Sequence, residues 1–272
     1  MTTAHDAQLH RSQDGPAPNP KLAPGTFTPR PQRASVAAMA VAQGRIEAKL
    51  MLRHGEQLLL NLVIPAAILF AAHFAPILGD NTDFNLLVPM VFAIAATSAG
   101  FTGQAIATGF DRRYGVLRQL ATTPLGTSGL IWGKLLAVLA VVLVQFALIA
   151  VIALVLGLDA PVDPFAVGLA GLLGTAVMLT WGLVLGGALR AEATLALANL
   201  LWVLMAAVGG LVVAQGGPWG ALVRFTPSGA LGDAMRAAVL DGAVDLRALA
   251  VLLAWTVLGL LAARRWFDFD GR

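Results

Sequence analysis

The sequence predicts an all-α integral membrane protein of six transmembrane helices. An amphipathic helix should precede the first span, a short helix should link the second to the third, and a short outer re-entrant helix should precede the last. Three observations lead there. The 272 residues are 58% hydrophobic and 12% charged, with a mean hydropathy of +0.78, whereas soluble domains are about 25% charged. The apolar residues fall into six long runs, and the basic residues fall mostly on one side of them. A soluble enzyme is excluded first. The chain has no Cys and only four His, which removes disulfides, thiolate metal sites, iron–sulfur clusters and Cys nucleophiles.

Residues 1–33 hold six of the 14 prolines (Pro16, Pro18, Pro20, Pro24, Pro29 and Pro31) and no apolar run, so a disordered Pro-rich cytoplasmic tail is expected. A secretory signal needs about 7–15 apolar residues after a basic start, and nothing before Leu58 supplies them. The tail is expected to remain in the mature chain, and residues 34–272 form the six-span domain. Over 36–54, Arg45, Lys49 and Arg53 make a basic stripe at i, i+4, i+8, while Met39, Ile46 and Leu50 lie on a neighbouring apolar face. This reads as a helix in the cytoplasmic interface; an ordinary basic flank with some helicity is the alternative.

The spans are Leu58 to Leu78, Leu86 to Gly109, Leu130 to Gly157, Phe165 to Ala188, Ala193 to Ala214 and Ala248 to Ala263. A helix crosses the hydrocarbon with about 20 residues. The sixth run is short, but Arg247, Arg264 and Arg265 can snorkel outward and lengthen it. Lys134, one turn into the third span, is read as a boundary lysine reaching the headgroups. Gly182 and Gly186 form a small-x-x-x-small pair, and Gly168, Gly171 and Gly174 a tighter series, both suited to close helix contact.

Between the second and third spans, Phe110, Tyr114, Leu117 and Ala121 recur at i, i+4, i+7, i+11, and Pro124 stops the helix. Such a helix, over 111–122, can rest on lipid or dock into a groove of a soluble partner. The outer segment 221–244 contains Thr226-Pro227-Ser228 before an apolar-faced stretch. It reads as a helix capped by Ser228, dipping into the outer leaflet or covering the outer mouth.

Of the 18 Lys and Arg, 15 fall on the side that carries both termini. Only Arg224, Arg236 and Arg247 fall on the other, amid Asp80, Asp83, Asp159, Asp163, Asp233, Asp241 and Asp245. Both ends are therefore expected in the cytoplasm, with the protein in the plasma membrane. No basic run interleaves with aromatics, so nucleic acid is not expected as a partner.

Asp111-Arg-Arg-Tyr-Gly-Val-Leu-Arg-Gln-Leu-Ala-Thr-Thr-Pro124 followed by Gly133-Lys134 resembles the hallmark of permease subunits of type-2 ATP-binding-cassette exporters, of the drug- and antibiotic-export kind. Weaker likenesses are Pro227, Arg236 and Gly242 before the last span and the ending Arg264-Arg265-Trp266-Phe267. Asp111 stands where the family often has Glu. The resemblance implies a permease that pairs with a second permease copy or a homologous one, and with two cytoplasmic ATPase subunits carrying ATP and Mg. It makes 111–122 the coupling helix, with Asp111, Arg112, Arg113, Tyr114, Gly115, Leu117 and Arg118 as coupling residues. Tyr114 and Leu117 would enter an apolar cleft of the ATPase, and Arg112, Arg113 and Arg118 would pair with acids at its rim. The chain has no phosphate-cradling Gly-x-x-x-x-Gly-Lys-Ser/Thr of its own, so no cofactor is expected on it.

Other classes fit less well. A hydrolase lacks an intramembrane nucleophile and base; His73 has no carboxylate at helical spacing. An ion-coupled secondary transporter of hydrophobic compounds is the alternative, but it normally shows mid-span carboxylates. A purely structural membrane subunit is a third class. Gln104, Gln145 and Asn199 are the candidate pathway residues among the spans' uncharged polar groups, and the lack of mid-span charge points to apolar or amphipathic cargo such as a drug, antibiotic or lipid-like molecule.

Overall fold

In the computed structural model, residues 34–53, 55–74, 83–212 and 215–266 are described; the expected Pro-rich tail lies outside them. Every element among the described residues is a helix. In order these are α1 (Val36–Arg53), α2 (Gly55–Phe74), α3 (Phe84–Thr97), a π turn over Ser98–Thr102, α4 (Gly103–Arg113), α5 (Val116–Ala121), α6 (Gly126–Val155), α7 (Pro164–Ala188), α8 (Ala191–Ala207), α9 (Gly217–Val223), α10 (Pro227–Leu240) and α11 (Leu246–Trp266). The starts follow from local chemistry. Asp83 accepts the Asn85 N–H at 2.9 Å, and Asp163, ahead of Pro164, accepts that of Phe165 at 2.9 Å, each satisfying an otherwise orphaned first-turn donor.

Among the described residues, four helices are long and apolar enough to cross a membrane: Phe84–Arg113, Gly126–Val155, Pro164–Ala188 and Leu246–Trp266. They correspond to the second, third, fourth and sixth expected spans. The last is 21 residues long, because the helix runs through both flanking arginine sites instead of stopping at the apolar run. The first expected span corresponds to α2. The fifth is shorter than expected: α8 is a 17-residue helix that ends at Ala207, ahead of Gly209 and Gly210. Gly210 has φ +75°, a left-handed conformation that disfavours L side chains and terminates the helix.

Helix α7 is the hub, packed by α3, the π turn, α4, α6, α8, α10 and α11. Lipid tails are as apolar as Leu, so spans are held by close backbone approach rather than by expulsion of water. Gly182 supplies that approach: a Cβ there would stand 2.7 Å from Phe101 O and 3.0 Å from Gly100 O of the π turn. A Cβ on Gly186 would strike Ala105 O, and one on Gly171 would stand 3.2 Å from Phe146 Cζ. Gly168 meets nothing within 4 Å, so it takes no part in the packing expected of its series. The π turn is also pinned from α8, where Trp202 Nε1 donates to Ser98 Oγ at 3.2 Å.

The segment expected over 221–244 forms α9 and α10. Helix α10 is more deeply embedded than a cover over a mouth: nine of its 14 residues are buried, and it packs on α3, α7 and α11. Its cap is Thr226, whose Oγ1 accepts the Gly229 N–H at 3.1 Å. Ser228, the expected cap, instead donates to Gly209 O at 2.8 Å, because Pro227 takes the first helical position and moves the cap one step earlier. Beyond α10, Arg247 joins Asp233 at 2.8 Å and Asp245 at 3.0 Å, and Arg236 joins Asp233 at 2.7 Å. Burial works to raise the Asp245 carboxyl, but the Ala248 N–H and the Arg247 guanidinium outweigh it and hold it below the usual carboxylate range.

Two outcomes are expected. Gly182→Ala should lose about 1–3 kcal/mol through overpacking against backbone that cannot yield, while Gly168→Ala should leave the midpoint of thermal unfolding in detergent nearly unchanged; equal effects would refute the packing assignment. Because the Asp245 carboxyl is depressed in the folded state, its contribution is full above the ordinary carboxylate pKa and is lost as pH falls through the folded value. The stability gap between wild type and Asp245→Asn should therefore be open near neutral pH and close in acid. A gap that widens in acid would contradict it.

Candidate functional site

The segment 111–122 is not one helix. The second span continues through α4 to Arg113, Tyr114 turns at φ −87°, ψ 4°, and Gly115 sits at φ +77° before the six residues of α5. A left-handed residue costs any L side chain about 1–2 kcal/mol, so the glycine places the break. The break also divides the expected apolar face. Tyr114 is 72% exposed, stacked beside Phe110 with ring centroids 6.0 Å apart. Leu117 is fully buried within this chain against Leu125 and Leu130, with Met39 and Leu120 beside them. Leu117 therefore anchors the turn from inside, and the expectation that it enters a partner's cleft is corrected.

Arg112 and Arg113, expected at a partner's rim, make contacts within the chain. Arg112 donates to Gly187 O at 2.8 Å, satisfying a carbonyl at the end of α7 where cations are favoured. Arg113 pairs with Glu192 at the start of α8. Together they tie the end of the second span to the α7–α8 connection. Arg118 lies exposed on α5. Asp111 turns toward a different partner.

That partner is Lys134. The side chain expected at the headgroups is 1% exposed, with Nζ 3.2 Å from Asp111 Oδ2 and 3.2 Å from Glu47 Oε1. Stripping an ammonium of water costs several kcal/mol unless carboxylates replace it, and here two do, from helices far apart in sequence. Close backbone contact brings Glu47 within reach: a Cβ on Gly44 would stand 3.1 Å from Gly133 O, so α1 lies directly on the start of α6. Gln43 Nε2 then donates to Glu47 at 3.0 Å, holding the carboxylate. The buried stripe of α1 thus includes Ala40 and Gly44, whereas Ile46 and Leu50 of the expected apolar face are 56% and 50% exposed.

Glu47 and Lys134 were not among the expected site residues. The available signals were a lysine inside a span and an acid in an otherwise basic helix, but periodicity does not pair residues 87 positions apart. The candidate pathway residues occupy three unlike places. Gln104 on α4 and Gln145 on α6 are each 3% exposed, and Gln104 Nε2 lies 4.0 Å from Met51 S. Asn199 is exposed on α8 and donates to Leu195 O of its own helix at 2.9 Å. Among the described residues no group of His, Asp and Glu could hold a metal ion. The arrangement is a joint: a buried ion network fastens α1, the end of the second span and the start of the third, and presents Tyr114 at its tip.

Lys134→Met should cost about 3–5 kcal/mol, because two carboxylates lose their counter-charge. Adding Glu47→Gln and Asp111→Asn should recover most of that loss. Thermal unfolding together with proteolysis of the α1–α2 junction measures both, and a triple variant no better than Lys134→Met would show that charge compensation is not what Lys134 provides.

No curated protein matches the chain. A family model described as ABC-2 family transporter protein matches residues 68–265, a range that takes in Asp111, Tyr114 and Lys134 and leaves Glu47 outside. With most of its length so matched, all its described elements helical and four helices able to cross a membrane, the chain belongs to the ABC-2 transporter family, as a membrane component of transport.

Proposed function

We propose that the chain is the permease subunit of an ATP-driven exporter that moves apolar or amphipathic molecules out of the cytoplasm or inner leaflet by alternating access. Separate ATPase subunits, carrying ATP and Mg, power it through the turn at Tyr114–Gly115. The carrying observation is the joint itself: an exposed aromatic on a short turn, braced by Leu117 beneath it and by Lys134, Arg112 and Arg113 behind it. Force applied at Tyr114 passes directly into the second span, α1 and the α7–α8 connection, as a transporter driven from outside requires. The end bearing Tyr114, Arg190 and Arg264 is then cytoplasmic, as the excess of basic residues favours. Two permeases, identical or homologous, with two ATPase subunits complete the assembly in this reading, and the plasma membrane is its location.

The cargo reading, toward drugs, antibiotics or lipid-like molecules, rests on chemistry. Between α6 and α7, at the end away from Tyr114, a groove of about 640 Å3 is lined by residues including Phe92, Leu143, Phe146, Ala150, Leu154 and Val167. Such a wall favours apolar ligands and offers nothing to a hydrophilic anion. Gln104 and Gln145 are buried while Asn199 is exposed, so they are left to tune packing or selectivity rather than to form one polar site with it.

Tyr114→Ala is expected to leave the folded permease in the membrane, since the ring is exposed, and to weaken ATPase association by about 2 kcal/mol or more, the scale of an interface anchor. Cargo-stimulated ATP hydrolysis and export should fall together, with Arg118→Ala milder. Leu117→Asp should instead disrupt the turn in the permease alone, before any partner binds. Wild-type ATPase co-purification and export by Tyr114→Ala would remove the coupling assignment. Native mass spectrometry of an active complex with one permease copy would remove the dimer.

Sidedness has its own check in a chain without cysteine. Arg118→Cys should react with a membrane-impermeant thiol reagent only when the cytoplasmic face is open to it. Labelling from outside intact cells would reverse the orientation.

A further inference from the structure

Where α7 and α11 pass each other, Trp181 and Trp255 meet edge to face with ring centroids 5.5 Å apart, and Trp181 Nε1 donates to Trp255 O at 3.2 Å. Gly259 lets the two helices close, since a Cβ there would stand 2.8 Å from Thr180 Cβ. The two indoles, with Leu258, Leu261 and Ala262, wall a groove of about 400 Å3. Its mouth is chemically different: Arg265 and Trp266 complete the lining, and Arg264 is the preceding residue. Trp266 is 62% exposed, and among the described residues no carboxylate pairs with either arginine.

The dimensions are those of one leaflet. From Trp255 to Arg265 is ten residues, about 15 Å of helix, half of a hydrocarbon core of about 30 Å. An apolar groove of that length, ending in Arg265 and Trp266 with Arg264 on the same last helical turn, matches a molecule with a hydrocarbon chain at one end and a negative charge at the other. Basic sites between spans recognise anionic headgroups in this way, and Trp settles where chain and headgroup meet. A zwitterionic lipid supplies the chain without net charge, and free phosphate supplies the charge without the chain.

We propose that this groove binds an anionic phospholipid, with an acyl chain against Trp181, Trp255 and Leu258 and the phosphate on Arg265 and Arg264. The site is separate from the apolar groove between α6 and α7 and from the Lys134 joint, and it stands whether or not the coupling reading is correct. The lipid bridges α7, the hub of the fold, to α11.

The test uses the full-length protein in mild detergent, titrated with phosphatidylglycerol or phosphatidylcholine carrying brominated acyl chains, with tryptophan fluorescence as the readout. Saturable quenching should appear at lower concentration with phosphatidylglycerol and persist in the presence of inorganic phosphate. Arg264→Gln and Arg265→Gln should each weaken phosphatidylglycerol by about fivefold, the order expected of one basic residue beside an anionic headgroup, and leave phosphatidylcholine unchanged. Equal quenching by the two lipids, full competition by inorganic phosphate, or an undiminished preference in the double Gln variant would each overturn the proposal. So would efficient disulfide pairing of two Leu261→Cys chains in native membranes, which would mean that a second permease copy covers the groove.

Discussion

The ammonium of Lys134, taken out of water at the start of a span, sets the geometry around it. A lone buried charge there is untenable, and neutralising it requires Asp111 from the end of the second span and Glu47 from the helix before the first, each at 3.2 Å. Satisfying one charge therefore fixes the mutual placement of three elements. The Gly44 and Gly133 contact is the steric condition for it, since a side chain at either position would push α1 away and leave Lys134 with one carboxylate. A hydrophobic contact in the same place would give cohesion without direction, because lipid competes with it on equal terms. The ion network gives a specific register.

The same logic extends along the second span. Arg112 and Arg113 bind its end to the α7–α8 connection, while the π turn over Ser98–Thr102 lies against Gly182 and accepts a bond from Trp202. The long helical path Phe84–Arg113 is thus held at both its middle and its basic end by backbone and charge. Its tip, the turn at Tyr114 and Gly115, presents an exposed aromatic ring. A side chain displaced there has stiff connections behind it, the physical requirement for a contact that transmits work in the proposed exporter.

At the opposite end the chain solves a different problem. Helix α10 is too short to cross a bilayer, and it buries itself against α3, α7 and α11, with Thr226 capping its start and Ser228 returning a bond to Gly209. Asp233, Asp245, Arg236 and Arg247 close this packing in a shared ion cluster. Irregular backbone at depth is tolerated where protein, rather than lipid, surrounds it.

By itself the sequence determined the helical class, the places of the apolar runs, the site of the motif between the second and third spans and the small-residue contact at Gly182 and Gly186. These follow from composition and from periodicity within one helix, which are local properties. It misplaced what depends on partners distant in the chain. Leu117 and Tyr114 share a face of an ideal helix, and only the left-handed Gly115 sends one inward and the other out. Ser228 looked like a cap until Pro227 moved the cap to Thr226. Lys134 read as a snorkelling lysine because its headgroup distance can be judged from sequence, whereas its distance to Glu47, 87 residues earlier, cannot. Which buried charge meets which is a consequence of three-dimensional packing, and it was decided where α1 crosses α6 at Gly44 and Gly133.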